Sequence, residues 1–318
     1  MPNDANATMN LRLTAIRFEA KDTHSFEFRH PDGAVLPPVE PGAHIDLHLG
    51  NGMMRQYSLT TVQGDGKAYI VGIKRDSASR GGSVWIHDNL KVGQIVKIGG
   101  PRNNFPLDES AAHTVLVAGG IGVTPIRCMA QQLIKSGKSW SMFYSCRDRS
   151  EAAFLDELSA RKEVTLHFDA EANGKFLDMK AIVAGPPAGA HFYCCGPLPM
   201  LAAFEEATKD LPREQVHVEY FTAKESAATE GGYTVVLQKS GKEFQVPAGK
   251  TILQVLRDAG INVMYSCEEG VCGACETVVI SGAPDHRDNI LTDAERAASK
   301  TMMICCSGSK SERLVLDM

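Results

Sequence analysis

Three cysteines that lie close together in the last third of the sequence limit what this chain can fold into. Cys267, Cys272 and Cys275 follow the spacing C-x4-C-x2-C, and Cys305 comes after 29 further residues. This spacing is typical of a plant-type [2Fe–2S] site, where one loop supplies three thiolates and a distant segment supplies the fourth. Glycines between the cysteines would let backbone amides approach the sulfides. The sequence therefore predicts that these four cysteines ligate an iron–sulfur cluster.

Two alternatives to this cluster stay open. Zinc also binds four thiolates, but structural zinc sites commonly pair two C-x2-C motifs and this segment has one. The cysteines could also be buried without any metal. Cys306 directly follows Cys305, and adjacent residues of an extended segment face opposite sides, so only one of the two should be a ligand. We choose Cys305 because its spacing from Cys275 fits the plant-type arrangement.

Length and composition set wider limits. The 318 residues predict two or three domains, and a hydrophobic fraction of 43% is enough for real cores. The net charge of −5 gives no basic surface for nucleic acid and no polybasic patch for a membrane. No apolar segment is long enough to span a bilayer, and Met1–Asn10 lacks the pattern of a signal peptide. Unassigned cysteines beside a cluster motif indicate free thiols in a reducing cytoplasm.

The first third is predicted to form a small antiparallel barrel. Short alternating segments are separated by glycine, proline and asparagine turns, and one short helix begins near Val84. Arg55 and Tyr57 should face one side of a strand and Gln56 and Ser58 the other, where they could bind a flavin. The predicted strands are 11–17, 25–29, 44–49, 56–60, 68–73 and 95–99.

A second flavin motif precedes the predicted helix. Gly81, Gly82 and Ser83 follow Arg80, and the backbone amides at a helix N-terminus can hold a phosphate. Taken alone, residues 81–83 could equally be an ordinary helix cap. Residues 55–58 could equally be an ordinary edge strand.

The middle third alternates strands and helices, as an α/β nucleotide-binding domain does. The apolar strand 113–118 leads into Gly119–Pro125 and a helix over 126–136, a context that suits a pyrophosphate. The spacing G-x-G-x-x-G is absent, so a Rossmann fold proper is not predicted. Arg147 could meet an adenosine phosphate or ribose, or be a solvated surface residue. Further strands are predicted at 139–145, 164–169 and 191–195, and further helices at 151–161 and 199–210.

The strand at 191–195 ends in Cys195, which precedes Gly196 and Pro197. Cys195 could be a nucleophile, but no partner histidine can be assigned to it. A small residue that lines the nicotinamide site is the better interpretation.

The last third reads as a ferredoxin-like module behind a small, polar linker at 226–232. A hairpin is predicted from strands 233–238 and 243–247, and a helix over 251–259 precedes the cysteine loop. A strand at 276–281 and a short helix at 293–298, capped by Thr292, lead to Cys305.

Together these modules resemble the phthalate dioxygenase reductase family over nearly the whole chain. The order of the three modules is itself specific. The matching motifs are Arg55–Ser58, 74–83, Gly119–Pro125, Cys195–Pro197 with Met200, Asp285–Asp288 and Leu314–Asp317.

The resemblance implies a multidomain fold. It comprises an antiparallel β-barrel flavin domain (1–107), an α/β nicotinamide-binding domain (108–225), a linker (226–232) and an α+β, β-grasp-like ferredoxin domain (233–318).

The resemblance also implies binding residues. Ser58 or Thr124 would lie near flavin N5 without acting as a catalytic base, and Phe221 would lie near the flavin unless it is a core aromatic. The implied flavin residues are Arg55, Gln56, Tyr57, Ser58, Gly72, Ile73, Lys74, Arg80, Gly81, Gly82, Ser83 and Phe221. The implied NADH residues are Gly120, Ile121, Gly122, Thr124, Ser145, Arg147, Cys195, Gly196, Pro197 and Met200.

The implied activity is electron transfer from NADH through flavin and the cluster to a Rieske non-haem iron oxygenase component. FMN is implied rather than FAD, and NADH rather than NADPH, although Arg147 and Arg149 leave room for a 2′-phosphate. We expect a cytoplasmic monomer. The alternatives are a reductase for a cytochrome P450 or other haem acceptor, and a metal-binding adaptor whose front domains have lost their cofactors.

Overall fold

The computed structural model describes residues 8–62 and 64–318, so the first seven residues of the predicted polar segment Met1–Asn10 lie outside it. The described chain forms two compact units, one that ends at Glu219 and one that comprises Tyr220–Met318. Among the described helices, none has the length and apolar character that crossing a bilayer requires.

The first part of unit one is a six-stranded antiparallel sheet in the order β4-β3-β6-β1-β2-β5. A bridge between Leu59 and Val71 joins the end of β4 to β5, so the two edges of the sheet meet and close the barrel. Every predicted strand of this region is confirmed, and the helix α1 is Gly82–Asn89. The strands are β1 (Thr8–Ala20), β2 (Thr23–Arg29), β3 (Ala43–His48), β4 (Met54–Ser58), β5 (Ala68–Lys74) and β6 (Ile95–Asn103).

The second part of unit one is a five-stranded parallel sheet in the order β11-β10-β7-β8-β9. Its central strand β7 is buried along its whole length, as the continuous apolar run predicts. The carboxyl ends of the strands therefore lie along one edge. The strands are β7 (Thr114–Gly119), β8 (Trp140–Cys146), β9 (Val164–Phe168), β10 (His191–Cys195) and β11 (Val216–Glu219); the helices are α2 (Val123–Lys135), α3 (Leu155–Ser159), α4 (Met179–Ala184) and α5 (Leu198–Thr208).

The helix predicted at 151–161 is wrong in its first half. A single 3₁₀ turn covers Arg149–Glu151, and α3 begins only at Leu155. Phe154 adopts a left-handed conformation with φ of 59°, which a continuous right-handed helix cannot contain. The short elements α4 and β11 were not predicted.

Unit two contains a five-stranded sheet in the order β13-β12-β18-β14-β16, with α6 and α7. Thr251 and Thr292 each form a capping box at the start of their helices. The central strand β18 was not predicted. The strands are β12 (Tyr233–Leu237), β13 (Glu243–Val246), β14 (Glu276–Ser281), β15 (Pro284–Asp285), β16 (Thr301–Met303), β17 (Gly308–Ser309) and β18 (Arg313–Leu316); the helices are α6 (Ile252–Asp258) and α7 (Asp293–Ala298).

Candidate functional site

The candidate flavin strand is β4, whose alternation is as predicted. Arg55 and Tyr57 lie opposite Leu47 and Ile45 of β3, and residues directly opposite each other in an antiparallel pair share a face. Tyr57 packs against the barrel core, and burial raises the pKa of its hydroxyl. The phenol therefore stays protonated and can act as a rigid, neutral surface for a ring.

The guanidinium of Arg55 lies beside the start of α1. A β-carbon built at Gly82 would lie 2.6 Å from Arg55 Cγ and Nε, so only glycine leaves room for this side chain. Arg55 Nη2 donates to the Arg80 carbonyl at 3.3 Å. The helix begins after Gly81, which has φ of 81° and no side-chain cap. An arginine beside uncapped first-turn amides suits a phosphate, so these residues fit a flavin phosphate.

The barrel and the α/β sheet meet at Gly72. A β-carbon at Gly72 would lie 2.8 Å from Thr124 Cγ2, at the start of α2. Thr124 is buried, and its hydroxyl donates to the Ile121 carbonyl at 2.9 Å. Lys74, which ends β5, forms an ion pair with Glu151 at 2.9 Å. Predicted flavin and nicotinamide residues are thus neighbours here.

The remaining predicted flavin residues are placed as follows. Ser58 is buried at the end of β4. Ser83 accepts a hydrogen bond from the Asp76 amide at 3.1 Å. Phe221 belongs to unit two and is 37% exposed, and its role near the flavin stays a prediction.

Two glycine-containing turns pack tightly at the carboxyl edge of the parallel sheet. A β-carbon at Gly119 would lie 2.6 Å from Pro197 Cδ and 2.7 Å from Met200 Sδ. One at Gly122 would overlap the carbonyl group of Cys195. The predicted pyrophosphate loop and the predicted nicotinamide turn therefore form one continuous surface.

The two arginines after β8 differ in their surroundings. Arg147 is exposed beyond the buried Ser145. Arg149 pairs with Glu171 at 2.5 Å and lies over the ring of Phe168 at 4.5 Å. A 2′-phosphate would have to compete with these contacts of Arg149.

Glu219, which sequence reasoning missed, ends β11 beside Cys195. The residue is partly buried, but its Oε2 is inaccessible and has no hydrogen-bond partner among the described residues. Burial raises the pKa of this carboxyl to about 8, and a hydrogen bond with Cys195 offsets part of the effect. The sequence signal that could have identified Glu219 is its position as an acidic residue at the end of the alternating segment Val216–Glu219.

Cys195 is wholly buried, and burial raises the pKa of its thiol well above the ordinary value. A protonated thiol is a poor nucleophile, so the environment favours a lining role.

In unit two, the loop and the distant segment bring four buried thiols together. Cys267 lies near Cys272, and Cys275 near Cys305, so that each thiol influences the pKa of its neighbour. Cys267 and Cys305 also influence each other. A two-iron cluster needs two thiolates at each iron, and two such pairs would provide them.

Backbone amides also point at these sulfurs. The Glu269 amide donates to Cys267 Sγ at 3.3 Å, and the Ala274 amide donates to Cys272 Sγ at 3.4 Å. Such donors stabilise thiolate charge on the ligands.

The protonation of the thiols bears on how they would bind iron. No group of three or more His, Cys, Asp or Glu in the described part of the chain is arranged to hold a metal ion. The hydrogen bond with Cys267, together with burial, raises the pKa of Cys272. Cluster binding must therefore displace protons from the thiols.

A second segment, which contains Asp288 and Asn289, packs against the cysteine loop. The Asn289 amide donates to the Gly270 carbonyl at 2.8 Å, and Gly270 has φ of 68°. The buried Asp288 accepts the Leu291 amide at 2.8 Å, and Arg296 donates to the Asp288 carbonyl. Asp288, the last residue of the motif Asp285–Asp288, thus stabilises the segment that packs next to the cysteine loop.

Comparison with known proteins assigns these modules to a class. The family model of the 2Fe-2S iron-sulfur cluster binding domain matches residues 235–309, and that of the oxidoreductase NAD-binding domain matches residues 116–206. With the flavin-type barrel, these matches define a modular NAD-dependent electron-transfer reductase.

Similar proteins then give the family. Phenoxybenzoate dioxygenase subunit beta of Ectopseudomonas oleovorans is 50% identical over 98% of both chains. A solved structure of phthalate dioxygenase reductase is 40% identical, with a TM-score of 0.76 and 98% coverage of both chains. An intact type IV self-sufficient cytochrome P450 monooxygenase is also 40% identical, with a TM-score of 0.86 over 98% of this chain and 41% of that one. This chain belongs to the phthalate dioxygenase reductase family.

Proposed function

We propose that this chain is the reductase component of a Rieske non-haem iron oxygenase system and works as a monomer in the cytoplasm. The observation that carries the proposal is that four buried thiols lie near one another in a chain that also has closely packed glycine turns at Gly119, Gly122 and Gly196. The similarity to a dioxygenase subunit supports an oxygenase as the acceptor. No disulfide joins any of the nine cysteines, all of which lie among the described residues, and this supports a reducing compartment.

The proposed domain limits are 1–107, 108–225 and 233–318, with the linker at 226–232. The proposed cluster ligands are Cys267, Cys272, Cys275 and Cys305. The proposed flavin residues are Arg55–Ser58, Gly72–Lys74, Arg80–Ser83 and Phe221. The proposed NADH residues are Gly120–Gly122, Thr124, Ser145, Arg147, Cys195–Pro197 and Met200.

The flavin is proposed to be FMN, because Arg55 and the N-terminus of α1 together suit a terminal phosphate. NADH is proposed over NADPH, because Arg149 is already engaged by Glu171 and Phe168.

Each group of residues then has a separate task. Gly119 and Gly122 let the dinucleotide loop lie against Cys195–Pro197, which would orient the nicotinamide. Glu219 and Cys195 both have raised pKa values, so neither places a fixed negative charge at this edge of the sheet at neutral pH. When bound, a flavin and a [2Fe–2S] cluster convert a two-electron donor into single-electron steps.

The first test is the visible spectrum of the full chain before and after anaerobic NADH. A flavin band with an iron–sulfur shoulder should bleach on NADH addition. The same protein should then support turnover by a purified Rieske oxygenase. A shoulder without flavin, or no response to NADH, would favour the adaptor alternative.

A haem acceptor is the second candidate, because a self-sufficient P450 contains a region similar to this chain. Turnover with a purified P450 in place of the Rieske oxygenase would favour it.

A further inference from the structure

Glu268, in the cysteine loop, has a left-handed backbone conformation although it is not a glycine. It directly follows the proposed ligand Cys267 and has φ of 56°. The β-carbon of an L-residue is crowded in this conformation, which therefore persists only where surrounding contacts hold it. Such residues cluster at binding sites, so the contacts that support Glu268 bear on the cluster site.

The conformation of Glu268 determines where the next amide points. The Glu269 amide donates to Cys267 Sγ at 3.3 Å. Glu268 lies between these two groups in the chain, so its torsion angles set the orientation of the amide. A sulfur that accepts such a hydrogen bond carries negative charge more easily. The backbone at Glu268 therefore controls one donor to a proposed ligand.

Arg257 makes the contacts that can hold Glu268 in place. Arg257 Nη1 lies 3.6 Å from Glu268 Oε1, and the guanidinium lies over the ring of Tyr265 at 4.1 Å. Arg257 belongs to the last turn of α6, and Tyr265 packs against the core of unit two. The helix and the ring thus fix the guanidinium before it pairs with Glu268.

The strengths of these contacts decide what they can do. The side chains of Arg257 and Glu268 are 41% and 31% exposed, and ion pairs at such positions are individually weak. A cation–π contact near the surface is of similar strength, and so is the strain of a single left-handed residue. Together the two contacts can shift the conformation of Glu268, but they do not decide whether unit two folds.

We propose that Arg257 holds Glu268 in its left-handed conformation and thereby raises the reduction potential of the cluster. This inference rests on the proposed function, since it requires a [2Fe–2S] cluster at the four cysteines. Reduction adds negative charge to the ligand sulfurs, so an amide that stays on Cys267 Sγ favours the reduced state. Arg257 is thus a positioning residue that acts through Glu268.

The test is an EPR-monitored redox titration of the full chain in two backgrounds. In the wild-type background, Arg257→Ala should shift the reduction equilibrium three- to tenfold toward the oxidised cluster; tenfold corresponds to about 59 mV for one electron. In the Glu268→Gly background the same change should have less than a twofold effect. Glycine adopts the left-handed conformation without support, and salt screens the charge of an exposed arginine. Arg313→Ala, at another surface arginine of unit two that pairs with Glu243, is the matched control and should keep the wild-type potential.

Tyr265→Leu gives a second measurement that changes no charge. Leucine keeps apolar packing at this position but lacks the ring face that holds the guanidinium of Arg257. The reduction equilibrium should therefore move in the same direction as in Arg257→Ala, by a smaller factor.

Two results would overturn this inference and leave the proposed function intact. The first is an equal shift by Arg257→Ala in both backgrounds, which would assign the effect to the charge of the arginine alone. The second is an unchanged potential in both Arg257→Ala and Tyr265→Leu. A wild-type protein without [2Fe–2S] signals would overturn both proposals.

Discussion

At the scale of single residues, the candidate sites depend on side chains whose charge state is set by burial. Glu219 and Cys195 lie side by side at the end of the parallel sheet, and both are held neutral there. The pattern of strands predicted Cys195 at this edge but could not show which residue lies next to it. Glu219 lies next to Cys195 because β10 pairs with β11. The strand β11 is too short to be predicted from the sequence.

Glu219 should make stability depend on pH. Burial raises its pKa from 4.5 to about 8, so between these values the folded state binds more protons than the unfolded state. The free energy of unfolding should then fall as pH rises from about 5 to 8. Glu219→Gln removes this titration, and urea unfolding at several pH values should show a flatter profile. The exposed Glu214→Gln is the control, and an equal profile in all three proteins would contradict the assignment.

Gly82 should control the position of Arg55. In Gly82→Ala the added methyl group would displace the Arg55 side chain from the start of α1. Loss of a charge-assisted contact costs about 1.5–3 kcal/mol, so flavin affinity should fall roughly tenfold to a hundredfold. The fluorescence of released flavin measures this affinity. Gly185→Ala, where the nearest atom lies 3.6 Å from the new β-carbon, should bind flavin normally.

At the scale of elements, the loop proposed to bind the dinucleotide is held where the start of α2 closely approaches the turn after β10. Gly122→Ala would push the loop away from the Cys195 carbonyl. The KM for NADH should rise at least tenfold, with flavin and cluster contents unchanged, because only the nicotinamide surface is altered. Steady-state ferricyanide reduction measures this, again with Gly185→Ala as control. A lower kcat at constant KM would place the effect elsewhere.

Regular elements could be predicted wherever the sequence carries a sustained period. The alternating barrel strands and the apolar β7 are such cases, and each was predicted to within a few residues. The prediction failed where one residue overrides the pattern, as Phe154 does in the segment expected to be one helix. It also failed at residues 304–306, which form a turn and not the expected extended segment. Short strands such as β11 and β18 are stabilised by their neighbours in the sheet and carry little signal of their own.

At the scale of the whole molecule, the spacing of the cysteines predicts one site for four thiols, but it carries no information about the backbone that surrounds them. The spacing alone could not place Asp288 and Asn289 against Gly270, because that contact joins segments that only the folded chain brings together. The chain forms two compact units, and the four proposed ligand thiols all belong to the second. A substitution that removes the cluster should therefore leave the proposed nicotinamide site functional, and the reverse should also hold.

Cys272→Ala tests this independence. The variant removes one thiol of the Cys267–Cys272 pair, so the iron–sulfur absorption and the EPR signal should disappear. NADH-dependent ferricyanide reduction does not require the four thiols and should stay within about twofold of wild type. Electron delivery to the oxygenase should fall by at least a hundredfold, because the last carrier is missing. Loss of both activities, with flavin still bound, would show that the two units do not work separately.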